Sequence, residues 1–130
     1  ANPLTVASTY WTLKLIEKLD AIGKAEKMGT DLAKKLNDLF EGTDLPYFAY
    51  NVKSIIHFET YAPVAMDIRE MENIEKALKR KEYVDRIATA LFSKGIITKY
   101  GNRAFTCMAH SPEDNETFVE AFEEVLKLIE

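Results

Sequence analysis

Asn2-Pro3-Leu4-Thr5-Val6-Ala7 is the stretch that decides how the rest of the chain is read. It is a helix start. Asn accepts hydrogen bonds from the first free N–H groups, and Pro suits the first helical position. The helix it opens is apolar on two sides. Leu4, Ala7, Trp11 and Leu15 make one stripe at helical spacing, and Val6, Tyr10, Leu13 and Ile16 make much of a second. A surface helix of a small domain ordinarily needs one such stripe. Two stripes predict burial on both sides, which a small domain alone does not supply. The opening therefore reads as a piece of something larger.

Working outward, this first helix is expected over about Pro3–Leu19. Asp20 is placed to cap a second helix carrying Ile22, Ala25, Met28 or Gly29, Leu32, Leu36 and Leu39. Gly42 is expected to end it in the left-handed conformation. After the Thr43–Pro46 turn come two β-rich runs, Tyr47–Val52 and Ser54–Tyr61, joined tightly at Lys53-Ser54. Ile56, Phe58 and Thr60 alternate with His57, Glu59 and Tyr61, the pattern of a half-buried strand. The stretch Pro63–Arg80 is ambiguous, with an amphipathic pattern through Met66, Ile68, Met71, Ile74, Ala77 and Leu78. From Glu82 the residues Val84, Ile87, Ala88, Leu91 and Phe92 form a firm helical stripe that Gly95 stops. Ile96–Tyr100 is expected as a strand, Gly101-Asn102 as a two-residue hairpin turn, and Arg103–Ala109 as the returning strand. Ser111-Pro112-Glu113-Asp114 starts a last helix, whose buried face runs through Phe118, Val119, Phe122, Val125, Leu126 and Ile129. The order ααββαββα defines an α+β fold, an antiparallel sheet of about four short strands covered by helices.

Two segments of this pattern carry a family resemblance. Asn2-Pro3-Leu4, leading into a helix rich in small residues, resembles the junction segment of class III PLP-dependent aminotransferases, and in particular the glutamate-1-semialdehyde aminomutases. Arg103-Ala104-Phe105-Thr106-Cys107-Met108-Ala109-His110-Ser111-Pro112-Glu113-Asp114 resembles that family's late strand, its His-Ser/Thr turn and the start of its last helix. Their order and spacing also fit, so the resemblance spans nearly the whole chain. It implies an interdomain helix over residues 1–20 and an aminotransferase-like small C-terminal domain over 21–130. It further implies a large domain elsewhere that holds the PLP lysine, a homodimeric parent enzyme, and a fragment that binds no PLP itself.

Composition is compatible with this. The chain has 130 residues, suited to one domain. It is 47% apolar and 29% charged, as folded globular proteins are. A formal charge of −4 argues against a general nucleic-acid binder, and no run of about 20 apolar residues suggests a membrane span. The single Cys107 rules out an internal disulfide and a thiolate metal cluster. It reads as a small buried hydrophobe in an apolar strand, and a reducing cytoplasm suits it.

Few residues stand out for chemistry. The lysines lie on charged helix faces, where solvation is the default, and no glycine-rich phosphate loop is visible. Two histidines, His57 and His110, are too few for a metal site. His110 reads as a structural hydrogen-bonding residue beside the Ser111 cap. Glu113 and Asp114 look like a carboxylate pair, but the positive end of the helix dipole explains them better. No serine sits in a nucleophile elbow. Asn102 and Arg103 remain as substrate-pocket candidates, because the resemblance brings this hairpin to the substrate side of the active site. Aminomutases of the family tend to have an acid near the Asn102 position, and Asn cannot serve as a carboxylate base. Arg103 has the planar fork that binds carboxylates. The plain alternative is a turn Asn beside a surface Arg. At the level of the whole chain, the alternative to a domain of a PLP enzyme is a stand-alone α+β binding or regulatory module that associates through its first helix.

Overall fold

Helix periodicity is clearest in Ala21–Phe40 (α2; α1 is Pro3–Lys18), and this is where the core begins. Ala25, Gly29, Leu32, Ala33, Leu36 and Phe40 recur at three- and four-residue intervals and are buried. The structure, a computed structural model, describes residues 2–43, 46–60 and 71–128. Beyond α1 and α2 it contains β1 (Tyr47–Val52), β2 (Ile55–Thr60), α3 (Met71–Ser93), β3 (Arg103–Phe105) and α4 (Pro112–Leu126). The strands form one antiparallel sheet in the order β1-β2-β3. The α+β class holds, with three described strands.

The alternation in β2 sorts its two faces as expected. Ile56, Phe58 and Thr60 are buried, while Ile55, His57 and Glu59 point the other way. On the inner face, Ala49, Ile56, Phe58 and Ala104 meet Leu32, Leu36, Ile87, Leu91, Phe118, Phe122 and Val125 in one cluster. Phe122 is its centre, with ring centroids 5.4 Å from Phe40, 5.2 Å from Phe58 and 6.5 Å from Tyr47. The helix residues of this cluster come from α2, α3 and α4. On the opposite face Phe48, Tyr50, Val52 and Phe105 remain exposed.

Several local expectations change. Ile96–Tyr100 is not a strand; only Lys99 forms an isolated bridge, to Arg103. The cause is the end of α3. Gly95 takes φ +83, and the Ile96 amide reaches back to the Leu91 carbonyl at 2.9 Å, so this backbone is spent closing the helix. The hairpin loop is three residues, Tyr100-Gly101-Asn102, rather than the expected two, with Tyr100 at φ +56 and Gly101 at φ +79. The returning strand ends at Phe105. Thr106 then turns inward, its hydroxyl donating to the Ala25 carbonyl at 2.7 Å. Cys107 therefore lies beyond the sheet and is exposed, not buried.

The helix ends show the same mixture. Asn2 and Ser111 cap as read. The Leu4 amide donates to Asn2 Oδ1 at 3.0 Å, and Ser111 and Asp114 form a reciprocal capping box. Asp20 makes no side-chain cap, because it occupies the left-handed region itself. Gly42 does not take the left-handed conformation. Glu41, still right-handed, ends α2, and the Thr43 hydroxyl donates to the Phe40 carbonyl. The helix expected from Glu82 already runs by Met71, and residues 61–70, including Met66 and Ile68 of its proposed amphipathic pattern, lie outside the described residues. Ile129 does too. None of the described helices is long and apolar enough to cross a membrane.

Helix α1 buries no residue at all. Both stripes are present, and both are open: Leu4 is 76% exposed, Trp11 64%, Leu13 61% and Val6 56%.

Candidate functional site

The 99–103 hairpin and the adjoining outer face of the sheet gather the unusual polar residues. The hairpin separates the two candidates that adjoin in sequence. Asn102 is 7% exposed. Its carbonyl accepts from the Phe58 amide at 3.1 Å, and its side-chain amide donates to Glu59 Oε1 at 2.9 Å. The other oxygen of Glu59 accepts from the Arg80 guanidinium of α3. Asn102 is thus a tied residue at the junction of sheet, hairpin and helix.

Arg103 stands opposite His57 on the outer face. Its guanidinium lies over the Tyr100 ring at 5.8 Å, and its Nε is buried without a hydrogen-bond partner. Lys99 is 5.3 Å from the Tyr100 centroid and 5.9 Å from that of Phe105. Cations over ring faces gain from the quadrupole while keeping their remaining donors available. Next to them, His57 stacks on Tyr50 with centroids 4.9 Å apart and planes 7° from parallel. Burial, and then the positive charge of Arg103, lower the His57 pKa below its ordinary 6.5, with Glu59 opposing. The imidazole is therefore held towards its neutral form. In sum, this face carries two cations, a neutral ring stack and a carboxylate paired with Arg80. Such a surface can take an anion or a planar group, but its described residues bring no nucleophile and base together.

A cavity of about 400 Å³ lies on the other side, between α4, β3 and the segment after α3. Its polar lining includes Thr106, His110, Asp114 and Asn115. These groups are already committed. His110 Nδ1 accepts from the Cys107 amide at 3.2 Å, Asp114 completes the capping box, and Asn115 donates to the Met28 carbonyl and to Asp31. His110 is the structural residue its sequence context suggests. Glu113 and Asp114 are helix-start acids, with pKa values lowered by backbone hydrogen bonds and by Ser111. Among the described residues no three His, Cys, Asp or Glu side chains converge as a metal site.

Sequence reasoning missed Glu59 and Arg80. Glu59 was visible only as an outward residue of β2, and Arg80 only as one charge within Lys79-Arg80-Lys81. Nothing local distinguishes an ion pair across 21 residues of sequence from two solvated charges.

No protein-family model matches this chain, and a search of curated proteins finds no relative. Solved structures do match its fold. An omega-transaminase from Sphaerobacter thermophilus aligns with TM-score 0.65 and 16% identity, over 80% of this chain and 23% of its own. A glutamate-1-semialdehyde aminomutase from Pseudomonas aeruginosa PAO1 gives 0.66 and 17%, over 83% and 23%. A thermostable omega-transaminase variant from Pseudomonas jessenii gives 0.67 and 19%, over 91% and 25%. The chain thus has the fold of one part of transaminase and aminomutase chains. It spans about a quarter of their length.

PLP chemistry needs a lysine, a phosphate cradle and a carboxylate at the ring. Among the described residues Lys34, Lys53, Lys76, Lys81 and Lys127 are exposed and ion-paired with Asp38, Glu26, Glu72, Asp85 and Glu123, and those that line the cavity beside α4 include no lysine or arginine.

Proposed function

We propose that this chain is the small C-terminal domain of a PLP-dependent class III aminotransferase or aminomutase, with residues 1–20 as the interdomain helix and 21–130 as the domain proper. In this reading a large domain, outside this sequence, holds the cofactor and its lysine. The parent is a cytoplasmic homodimer, and the fragment alone is inactive. The domain's work is to close over the large domain, shape the substrate pocket and exclude water. When bound in the parent, PLP supplies the electron sink for moving an amino group. The residues of this chain contribute binding and orientation, with Arg103 offered to a substrate carboxylate and Asn102 at the pocket edge.

The observation that carries this reading is the fold likeness, most of this chain against about a quarter of the longer ones. Two open surfaces support it. Both stripes of α1 and the aromatic outer face of the sheet are unburied. Apolar exposure of that kind ordinarily marks a contact surface.

The reading frame upstream of Ala1 tests it directly. A domain with a PLP lysine is expected there, whereas a start codon at this position would favour the stand-alone module. Treating the isolated chain with PLP, then borohydride, should label lysines in a scattered way. Stoichiometric labelling of one lysine would refute the assignment of the cofactor to another domain. In the longer protein, Arg103→Ala should raise KM for carboxylate substrates more than it weakens PLP binding. The loss is about 1.5–3 kcal/mol, the usual worth of a charge-assisted hydrogen bond.

A further inference from the structure

Glu59 is shared between two elements that are far apart in sequence. From α3, Arg80 donates to Oε2; from the hairpin, Asn102 donates to Oε1 at 2.9 Å. The Glu59 side chain is 17% exposed and that of Arg80 28%, so water screens this pair less than a surface pair. A second contact joins the same two elements. Gly101 rests directly on α3: a methyl group placed on it would come within 2.6 Å of Val84 Cγ1 and 2.7 Å of the Val84 carbonyl. Val84 lies one helical turn beyond Arg80, so the two contacts fall on one stretch of α3. The hairpin meanwhile holds Tyr100 at φ +56, a conformation a bulky residue keeps only when its surroundings enforce it.

From this we propose that Glu59 is a positioning residue that locks α3 and the 99–103 hairpin into one cooperative unit. Whatever displaces α3 then also displaces Lys99 and Arg103, the cations of the outer face. This goes beyond the domain assignment above and does not depend on it, since the coupling lies wholly within this chain.

Amide hydrogen exchange on the isolated chain, read by NMR, tests the coupling. The reporters are Arg103, whose amide donates to Lys99 O at 3.1 Å, and Phe58, whose amide donates to Asn102 O at 3.1 Å. The control is Leu36, in the buried stripe of α2. Arg80→Met should speed exchange at both reporters by at least about tenfold while leaving Leu36 unchanged, the pattern of a local opening. Arg80→Lys, which keeps the charge, should restore part of the protection. Glu59→Gln should resemble Arg80→Met, and the double variant should add little to either single change, since coupled partners are not additive. Unchanged reporters in Arg80→Met, equal acceleration at Leu36, or fully additive effects would each overturn the proposal.

Discussion

Helices α1 and α2 are neighbours in sequence, and both carry apolar residues at helical spacing, yet their fates are opposite. In α2 the apolar residues from Ala25 to Phe40 fall on one side and pack towards the sheet and α4, Leu36 being fully buried, while Ile22 in the first turn stays exposed. In α1 they fall on two sides, and no residue is buried. Periodicity shows that a helix has a face to cover. It does not show that the cover belongs to the same folded unit. The energetics follow: fully burying a large side chain contributes roughly 1.5–3 kcal/mol, and no side chain of α1 is fully buried.

The contrast can be broken most forcefully at its packed end. Phe122→Ala should destabilise the fold by about 3–5 kcal/mol and Leu91→Ala by about 2–5 kcal/mol, the cost of lost burial plus cavity. Both residues are fully buried in the one cluster. Chemical denaturation measures this, and a loss near 0.5 kcal/mol would mean that the cluster is not the core.

Next in size is the α4 cap. Ser111→Ala removes the side chain that accepts from the Asp114 amide, and should cost about 1 kcal/mol. Asn2→Ala is measured in the same way. Asn2 makes the equivalent bond at the start of α1, but global stability should hardly move, because α1 is not packed into the cooperative unit.

A smaller effect separates the two faces of the sheet. The folded-state pKa of His57 lies below its unfolded value of about 6.5. The unfolded state therefore binds more protons as pH falls through that value, and stability should drop towards acid. His57→Gln should flatten this dependence between about pH 7 and pH 5. If denaturation curves of the parent and of His57→Gln keep the same slope in that window, the ring is not held neutral.

The smallest change is expected for the most conspicuous residue. Trp11→Ala should alter the stability of the isolated chain by no more than about 0.5 kcal/mol, although truncating a buried Trp costs several times that. A larger loss would mean that α1 packs within the domain after all, and the contrast with α2 would fall.

How far the fold could be read in advance depended on whether the deciding interaction was local. Caps at Asn2 and Ser111, the alternation of β2 and the stripe of α2 from Ala25 to Leu36 all involve residues within a few positions of one another, and all were legible; Ile22, expected in that stripe, is exposed. Ile96–Tyr100 was misread because the Ile96 amide goes to closing α3 and only Lys99 pairs, with Arg103. Cys107 was misread because the pairing ends just before it, with the Thr106 amide on the Ser54 carbonyl.

The candidate site divides in the same way. Sequence alone singled out Asn102 and Arg103 through turn chemistry and family resemblance. Their separation, one tied to Glu59 and one set over Tyr100, came only with the fold, as did the part played by Glu59 and Arg80. An ion pair between a strand and a helix has no signature in either segment, since each charge would look the same if solvated. Apolar periodicity alone determined that α1 needs cover on two sides. Only the tertiary structure decided that no residue of α1 is fully buried among the described residues, because whether a stripe is buried depends on which surfaces the remaining chain places against it.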